Sequence, residues 1–524
     1  MMRITNSMMT ANTKANINTN KVNADKLNTM TASGQKITRP SDDPVVAIRA
    51  MRLNTSLTEL EQYYGKNIPD ADAWFTDTET ALTQTDDVLS SIREKLNQAS
   101  SQENVTSNVK DILEELKQLK DQVYAIGNAD SAGRTVFTGY RTGEMLTFME
   151  QDTIKYEITE TFTKDDLETF KYVKGTASIN DSGKAVIGTT VYDGTTNIYN
   201  EEKVEEVTAY RIRLAYDNLD EFSSMSVDGT PFTVTPKSIS GSNQEEIDDI
   251  YTPKSGANFI KETGELILSK DAYDKLIKAG GISINYVKSD WQKGDLRPEH
   301  YFMCKTPKVA TDPRTYSATY PNGIEYNYNR IDAGKPVTSG GDIQGFIEQD
   351  LSYEIAFNQT IVINTHASDV YSHDIGRDID ELIKVTQQMV NAEDKVSRLQ
   401  NKIDNATDEE ELKKLNVTMG ALKKEEALVK EKMHSMYTSA ITAFKGYSDD
   451  VNKQIANLGA LTARLEMTKN RVKDQKSNVK ELADQNINCD LSETAIDLKN
   501  AELALEAAQL AAGKIAQQTL LNYI

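Results

Sequence analysis

The residues best suited to chemistry are histidines, two of which lie near carboxylates. His366 and His373 are seven residues apart, about two helical turns, and Asp369 and Asp374 lie beside them. Imidazole and carboxylate groups at this spacing can bind zinc. The segment directly follows a predicted strand, however, and the sequence lacks the His-Glu-x-x-His pattern of zinc proteases. We interpret these residues as polar side chains at a domain boundary and predict no metal site.

Other patterns that carry chemistry do not occur in the sequence. It contains no Gly-x-x-x-x-Gly-Lys-Ser/Thr, no Gly-x-Gly-x-x-Gly and no Gly-x-Ser-x-Gly. Cys304 and Cys489 lie far apart in the chain and form neither a disulfide framework nor a ligand cluster. The acidic run from Asp408 to Glu411 lacks the glycine and the spacing of a calcium loop. We therefore expect a protein that is not an enzyme and that has no cofactor.

The aromatic residues are compatible with one binding function, the binding of carbohydrate on the protein surface. Trp291 and many tyrosines lie in the middle of the chain, where rings on a surface would be available to a ligand. Aromatic residues are also favoured inside β-sheets. Packing is the better interpretation, and a secreted adhesin or glycan-binding protein is the less favoured alternative.

The composition excludes two classes of partner. The 524-residue chain has 80 acidic and 59 basic residues, which gives a formal net charge of −21. Nucleic acids select basic surfaces, so we predict no nucleic-acid partner. No apolar stretch approaches the roughly 18 residues that span a bilayer, so we predict no membrane insertion. The first residues also lack a basic region before an apolar core, and we expect no cleavable signal peptide.

Apolar residues repeated at seven predict long helices in both halves of the chain. All 11 prolines lie between Pro40 and Pro336, and the rest of the chain therefore permits long helices. A seven-residue repeat places one apolar stripe along a helix, which must be buried against other helices. The predicted bundle core consists of Phe75, Leu82, Leu89, Leu96, Leu116, Val123, Leu458, Leu465, Val472 and Val479.

The two ends of the chain carry thinner stripes. Residues 1–30 contain seven asparagines, which are poor helix formers. We expect this segment to be disordered in the free monomer and helical when it packs against the last helix. The predicted assembly seam consists of Met8, Ala15, Val22, Leu27, Leu491, Leu498, Leu505, Ala512, Ile515, Leu520 and Leu521.

The middle of the chain alternates apolar and polar residues, as half-buried strands do. Ile154, Tyr156 and Ile158 are one example, and the segments 210–216 and 282–286 are others. A hairpin is predicted about Asn358-Gln359. A second helical hairpin is predicted at about 386–445, with a capping box from Thr407 to Glu410 at one helix start.

Together these patterns predict an α+β protein. Its N- and C-terminal segments form a long antiparallel coiled-coil-like helical bundle, and a β-rich domain is inserted between them. The predicted regions are an N-terminal assembly helix at 1–40, the first half of the bundle at 41–143, the β-rich insertion at 144–365, the second half of the bundle with the extra hairpin at 366–485, and a C-terminal assembly helix at 486–524.

The segment from Gly34 to Pro44 reads as the end of one helix and the start of the next. Gly34 ends the first helix, Pro40 stiffens the link, and Ser41 or Asp42 caps the second helix. This segment resembles the N-terminal signature of the flagellin superfamily. With the Phe-Thr-Gly-Tyr segment farther on, the positions that carry the resemblance are Gly34, Pro40, Ser41, Asp42, Asp43, Pro44, Phe137, Gly139 and Tyr140.

Several segments resemble the hook-associated branch of that superfamily more than its filament members. They are Arg3-Ile4-Thr5, Phe137-Thr-Gly-Tyr140 and the ending Leu520-Leu-Asn-Tyr-Ile524. The segment Ala456–Ala460 is similar to the start of the superfamily's C-terminal helix. The resemblance covers residues 1–143 and 366–524, well over half of the chain.

The resemblance implies a structural protein of the bacterial flagellum at the junction of hook and filament. The implied partners are further copies of the chain in a ring, the other hook-associated junction protein, flagellin and a flagellar export chaperone. The implied route is secretion through the flagellar type III channel without a cleaved signal. A filament flagellin is the alternative within the same superfamily.

Overall fold

The computed structural model describes residues 6–100, 106–139, 141–306, 324–327 and 350–521. Long helices occupy both ends of this part of the chain, and short ones lie in the middle. The helices are α1 (Asn6–Ser33), α2 (Pro44–Gln62), α3 (Ile68–Ser100), α4 (Thr106–Ile126), α5 (Gln244–Tyr251), α6 (Lys270–Leu276), α7 (His373–Asn405), α8 (Glu409–Ile487) and α9 (Leu491–Leu521). A π-helical turn, Tyr63–Asn67, joins α2 to α3.

The chain forms two compact units. As far as their residues are described, the first contains residues 1–72, 353–361 and 461–524, and the second contains residues 73–352 and 362–460.

Helices α7 and α8 form a hairpin with a three-residue turn, 406–408. The second arm does not stop near residue 445, because α8 is one helix of 79 residues. The predicted capping box at Thr407 is wrong by one residue. The side chain of Asp408 accepts a hydrogen bond from the Glu410 amide at 3.1 Å, so the carboxylate, not the threonine hydroxyl, supplies the first acceptor of α8.

The helical part of the second unit buries the apolar faces of α3, α4, α7 and α8. Polar positions in the predicted stripes are satisfied inside this core. Thr85 donates to the carbonyl of Ala81 at 2.8 Å, and its hydroxyl also lies 2.9 Å from the Tyr371 hydroxyl. Thr78 donates to the carbonyl of Trp74 at 2.7 Å. A buried hydroxyl can back-bond in this way without leaving an unpaired donor.

Alternating sequence in the middle of the chain gives strands, as predicted. The strands are β1 (Asp130–Ser131), β2 (Arg134–Thr135), β3 (Tyr156–Phe162), β4 (Leu167–Lys174), β5 (Ser178–Ile179), β6 (Ala185–Ile187), β7 (Thr190–Tyr192), β8 (Glu205–Arg213), β9 (Glu221–Val227), β10 (Thr230–Pro231), β11 (Val234–Lys237), β12 (Ala257–Ile260), β13 (Glu265–Leu268), β14 (Ile282–Lys288), β15 (Met303–Thr306), β16 (Ile324–Asn327), β17 (Ser352–Ala356) and β18 (Gln359–Val362).

Two sheets enclose the core of the inserted region. Their strand orders are β10-β9-β14-β3-β15-β16 and β11-β12-β13-β8-β4. Apolar side chains of both sheets meet in one cluster around Trp291, which is fully buried. The fold class therefore agrees with the α+β prediction. The predicted hairpin is also present, as β17 and β18, with Asn358 at φ 52° in its turn.

A small three-stranded sheet, β5-β6-β7, packs on the hairpin of α7 and α8. Its buried residues Ala185 and Ile187 share an apolar cluster with Met389, Leu399 and Leu422 of the hairpin. Residues 173–204 therefore pack on the hairpin.

Ion pairs connect the five-stranded sheet to α7. Arg211 of β8 lies 2.6 Å from Glu265 and 2.5 Å from Glu381, and Arg213 lies 2.6 Å from Asp378. Burial acts to lower the pKa of Arg213, but the charges of Asp378, Glu168 and Glu381 hold it well above its usual value. The alternation of charge along β8 was visible in the sequence, but the partners on α7 were not.

Candidate functional site: the paired terminal helices

Helices α1 and α9 pack against each other in the first unit and run antiparallel. The amide of Asn20 donates to the carbonyl of Ala504 at 3.4 Å, and the thiol of Cys489 donates to the carbonyl of Met30 at 3.4 Å. The less exposed residues of each helix recur at three and four, as in a coiled coil. They are Thr13, Ile17, Asn20, Ala24, Leu27, Met30 and Thr31 on α1, and Thr494, Leu498, Ala501, Leu505, Ala508 and Ala512 on α9.

The predicted seam divides between this contact and the surface. Leu27, Leu498, Leu505 and Ala512 lie in the contact. Met8, Ala15, Val22 and Leu491 are exposed in the single chain, so their place in an assembly seam stays a prediction. The contact combines large apolar residues such as Ile17, Leu27 and Leu505 with small and polar ones. Ile515, Leu520 and Leu521 belong to α9, but their side chains lie outside the described part of the chain.

Each helix therefore keeps an apolar stripe on the face opposite the contact. At about 100° per residue, Met8, Ala15 and Val22 lie roughly half a turn from Ile17 and Ala24. Ile496, Leu503 and Leu510 have the same relation to Leu498 and Leu505 on α9. Met8 and Val22 are 55% and 59% exposed, and Ile496, Leu503 and Leu510 are 63%, 54% and 69% exposed. We call these two sets the outer stripes of α1 and α9. Each helix thus buries one apolar side in this contact and leaves the outer stripe exposed in the single chain.

The first helix break lies between α1 and α2. Gly34 adopts φ +71°, and its amide donates to the Met30 carbonyl at 2.8 Å, which is a left-handed helix end. Pro40 and Ser41 lie in a turn closed by a hydrogen bond from the Asp42 amide to the Arg39 carbonyl at 3.0 Å. The Asp42 carboxylate accepts from the amides of Arg39 and Thr38, and these bonds lower the pKa of Asp42.

Helix α2 starts one residue later than the sequence argument proposed. Asp43 accepts hydrogen bonds from the amides of Val45 at 3.0 Å and Val46 at 3.2 Å, so Asp43, and neither Ser41 nor Asp42, is the N-cap. Pro44 occupies the first helical position, where no amide donor is needed. Asp42 instead stabilises the preceding turn.

The second helix break lies between α8 and α9, at residues 488–490. The Asp490 carboxylate accepts from the amides of Ser492 at 2.8 Å and Glu493 at 3.2 Å and so caps α9.

The two breaks bond to each other. Gln35 and Asn488 form an antiparallel bridge. The Lys36 amide donates to the Ile487 carbonyl at 2.7 Å, and the Cys489 amide donates to the Gly34 carbonyl at 3.0 Å. The Lys36 ammonium donates to the Gln485 carbonyl at 2.6 Å. We call this group of contacts the joint. Its main bonds use backbone groups, which is why no residue pattern in the sequence indicated them.

The predicted bundle-core residues lie inside the helical regions. All are buried except Val479, which is half-buried; the buried ones are Phe75, Leu82, Leu89, Leu96, Leu116, Val123, Leu458, Leu465 and Val472.

The predicted motif residues near Phe137 lie close to the start of α7. Phe137 is buried edge-on against Tyr371 with ring centroids 5.1 Å apart, and its carbonyl accepts from the Ala367 amide at 3.0 Å. Gly139 adopts φ +61°, which explains the glycine. Tyr140 lies outside the described residues.

The histidines do not form a site together. His366 lies 3.0 Å from Asp350, whereas the ring of His373 packs 4.5 Å from that of Tyr301. Burial lowers the pKa of His373 to about 3, so the ring is neutral at physiological pH. Within the described ranges, no group of three or more histidine, cysteine, aspartate or glutamate residues is placed to hold a metal ion.

Trp291 of the insertion is used for packing. Trp291 stacks on Phe148 with centroids 4.9 Å apart, and its indole nitrogen donates to the Ile154 carbonyl at 2.7 Å. Its ring is thus closed to a carbohydrate ligand. Among the helices that the structure describes, none is long and apolar enough to cross a bilayer.

Comparison with known proteins gives one family match. Residues 4–142 match the model of the bacterial flagellin N-terminal helical region. No curated protein gives a significant match. Among solved structures, flagellar hook-associated protein 3 of Legionella pneumophila is similar, with 11% identity over 83% of this chain and 98% of its own, at a TM-score of 0.30. FlgL of Xanthomonas campestris is similar with 11% identity over 82% of this chain and 99% of its own, at a TM-score of 0.22. At such TM-scores these two structures assign no function.

Proposed function

We propose that this chain is a structural subunit that joins the flagellar hook to the filament, because residues 4–142 match the model of the bacterial flagellin N-terminal helical region. The observation that carries the proposal is the pair of outer stripes on α1 and α9. Each terminal helix buries one apolar face inside the subunit and exposes another. Neighbouring copies can bury the exposed faces when the subunits assemble.

The outer stripes fit a contact between neighbouring copies. Met8 to Val22 and Ile496 to Leu510 each span 14 residues (22 − 8 and 510 − 496), which is about 21 Å of helix. The stripe of α9 on one copy packs against the stripe of α1 on the next. Such a head-to-tail contact closes into a ring or continues as a helix. A ring of copies and a helical array of copies both fit a junction between two helical tubes.

Marginal pairing suits a subunit that is exported before it assembles. The inner face of α1 contains Thr13, Asn20 and Thr31, which bury little apolar surface. We propose that α1 and α9 are unpaired during export through the flagellar type III channel and that an export chaperone holds α9. After export the two helices pair, and neighbouring copies then supply further apolar contacts that stabilise both of them.

The position at the junction is supported by the residues that resemble the hook-associated branch. Phe137 and Gly139 form the buried turn described above, and the ending Leu520–Ile524 belongs to the same resemblance. The proposed neighbours are the other hook-associated junction protein on one side and flagellin on the other. The β-rich insertion faces outward in this arrangement, and the protein acts mechanically, without catalysis.

The test is the molar ratio of this protein to the major filament protein in sheared and washed flagella, measured by quantitative mass spectrometry. A junction needs one ring, so we expect roughly one copy per several hundred filament subunits or fewer. A ratio near one identifies a filament flagellin. Absence from flagella contradicts both structural functions and favours a role for the insertion as a surface adhesin.

A further inference from the structure

Helix α8 ends at Ile487, within the joint. Helices commonly end at a glycine or asparagine in the left-handed region, and α1 ends in this way at Gly34. Residues 482–493 contain neither glycine nor proline, and neither Asn488 nor Cys489 has a positive φ. The local sequence therefore lacks these stop signals for a helix of 79 residues, although it contains Asp490, which caps the start of α9.

The hydrogen bonds of the joint replace those of a continuous helix. In an unbroken helix the Gln485 carbonyl would accept from the Cys489 amide, and the Ile487 carbonyl would accept from the Leu491 amide. In the structure the Lys36 ammonium binds the first carbonyl at 2.6 Å, and the Lys36 amide binds the second at 2.7 Å. The Cys489 amide, which is freed, donates to the Gly34 carbonyl.

The start of α9 completes this exchange. The amides of Ser492 and Glu493 would bind the carbonyls of Asn488 and Cys489 in an unbroken helix. Both amides instead donate to the Asp490 carboxylate. The carbonyls of Gln485 and Ile487 and the amides of Cys489, Ser492 and Glu493 thus have substitute partners, and two of these substitutes come from one residue on the N-terminal segment.

We propose that Lys36 is a positioning residue that breaks the C-terminal helix. When the N-terminal segment is paired, Lys36 and Asp490 end α8 and start α9 in its own direction. When Lys36 and Asp490 no longer supply these bonds, residues 409–521 form one continuous helix. The break belongs to the paired state and is a consequence of tertiary contact.

The consequence for assembly rests on the proposed function. The direction of α9 decides where its outer stripe, Ile496 to Leu510, is presented to a neighbouring copy. A chain whose N-terminal segment is not yet paired lacks the Lys36 bonds, so the direction of α9 is not fixed and its stripe is not offered correctly. Pairing of the two ends thereby precedes assembly.

The test uses the two cysteines of the full chain. Labelling cysteine with ¹³C at Cα gives one signal from Cys489 at the break and one from Cys304 in β15, which reports on the folded insertion. The variant Lys36→Pro/Asp490→Ala removes the Lys36 amide donor, its ammonium and the cap of α9. We expect the Cys489 signal to shift downfield into the helical range while the Cys304 signal stays unchanged.

Milder variants serve as controls. Lys36→Arg keeps a cationic donor and the amide, and we expect the wild-type Cys489 signal. Lys36→Met/Asp490→Ala keeps the amide donor to Ile487, and we expect a smaller shift than with proline. A Cys489 signal in the proline variant that stays at its wild-type value, or that moves to the random-coil value, overturns the proposal. In either case the local sequence and not Lys36 decides the break.

A second readout separates this inference from the proposed function. Leu503→Asp changes the outer stripe and leaves the joint intact, so its Cys489 signal should match that of the wild type. If Leu503→Asp assembles normally, the proposed contact between copies is wrong, and the helix break is judged on the Cys489 signal alone.

Discussion

Substitutions at two leucines of α9 test pairing within the chain and assembly between chains separately. The two leucines are two residues apart. Leu503 lies on the outer stripe and is 54% exposed, whereas Leu505 is half-buried against α1. About 200° of helical rotation separates them. Replacing either one with aspartate introduces the same chemical change into the same helix. The two variants should nevertheless fail at different stages.

The expected cost of Leu503→Asp follows from its exposure. Complete burial of a leucine side chain is worth about 1.5–3 kcal/mol, and roughly half of that remains available to a neighbouring copy at this position. A carboxylate in the contact adds a desolvation cost of several kcal/mol. A total of roughly 3–4 kcal/mol weakens each contact between copies by at least about 100-fold. In the free chain the same change costs only about 0.7 kcal/mol or less, through helix propensity.

Leu505→Asp should already act in the free chain. It places the charge in the contact with α1 and removes one of the larger apolar residues of that contact. We expect amide hydrogen exchange throughout α1 to become faster than in the wild type, because the pair opens more often. Leu503→Asp should leave the exchange of α1 unchanged.

The assay combines hydrogen exchange on the free proteins with flagellar assembly in cells. Both variants should give hooks without filaments and flagellin in the medium. Faster exchange in α1 for Leu503→Asp would show that this leucine supports the internal pair. Normal filaments with Leu503→Asp would refute the outer stripe as a contact between copies.

Three further predictions concern charges that the fold buries or positions. Arg213→Met leaves the half-buried Asp378 without its cation and should destabilise the β-rich region by about 3 kcal/mol, measured by urea denaturation followed by tryptophan fluorescence; the double variant with Asp378→Leu should recover part of this loss. Burial raises the pKa of Glu160 from 4.5 to about 7, so the folded state holds a proton that the unfolded state releases as pH rises from 4.5. Stability should therefore fall between pH 4.5 and about 7, by about 3 kcal/mol in total, and Glu160→Gln should remove this part of the pH dependence measured by thermal unfolding. Asp43→Ala removes the N-cap of α2 and should cost about 1 kcal/mol, seen as faster amide exchange in its first turn, and Asp43→Asn should retain most of that stability.

The inserted region illustrates what a sequence can and cannot indicate about charge. Alternation along residues 210–216 predicted a strand, and β8 is present there. The same pattern could not indicate that Arg211 and Arg213 bind carboxylates of α7, about 165–170 residues away in the chain. Partners at such separation depend on how the sheet packs against the helix, which local periodicity does not encode.

The sequence by itself determined the helical ends, the β-rich middle and the buried bundle positions, because seven-residue and two-residue periods directly record which face of an element is buried. It also located the first helix break, since Gly34 and Pro40 act through their own backbone geometry. Only the tertiary structure decided which faces of α1 and α9 meet. Both helices are apolar on two sides, and a pattern cannot rank one side above the other. Only the tertiary structure decided the second break as well, because the donors that end α8 come from Lys36, 449 residues earlier in the chain.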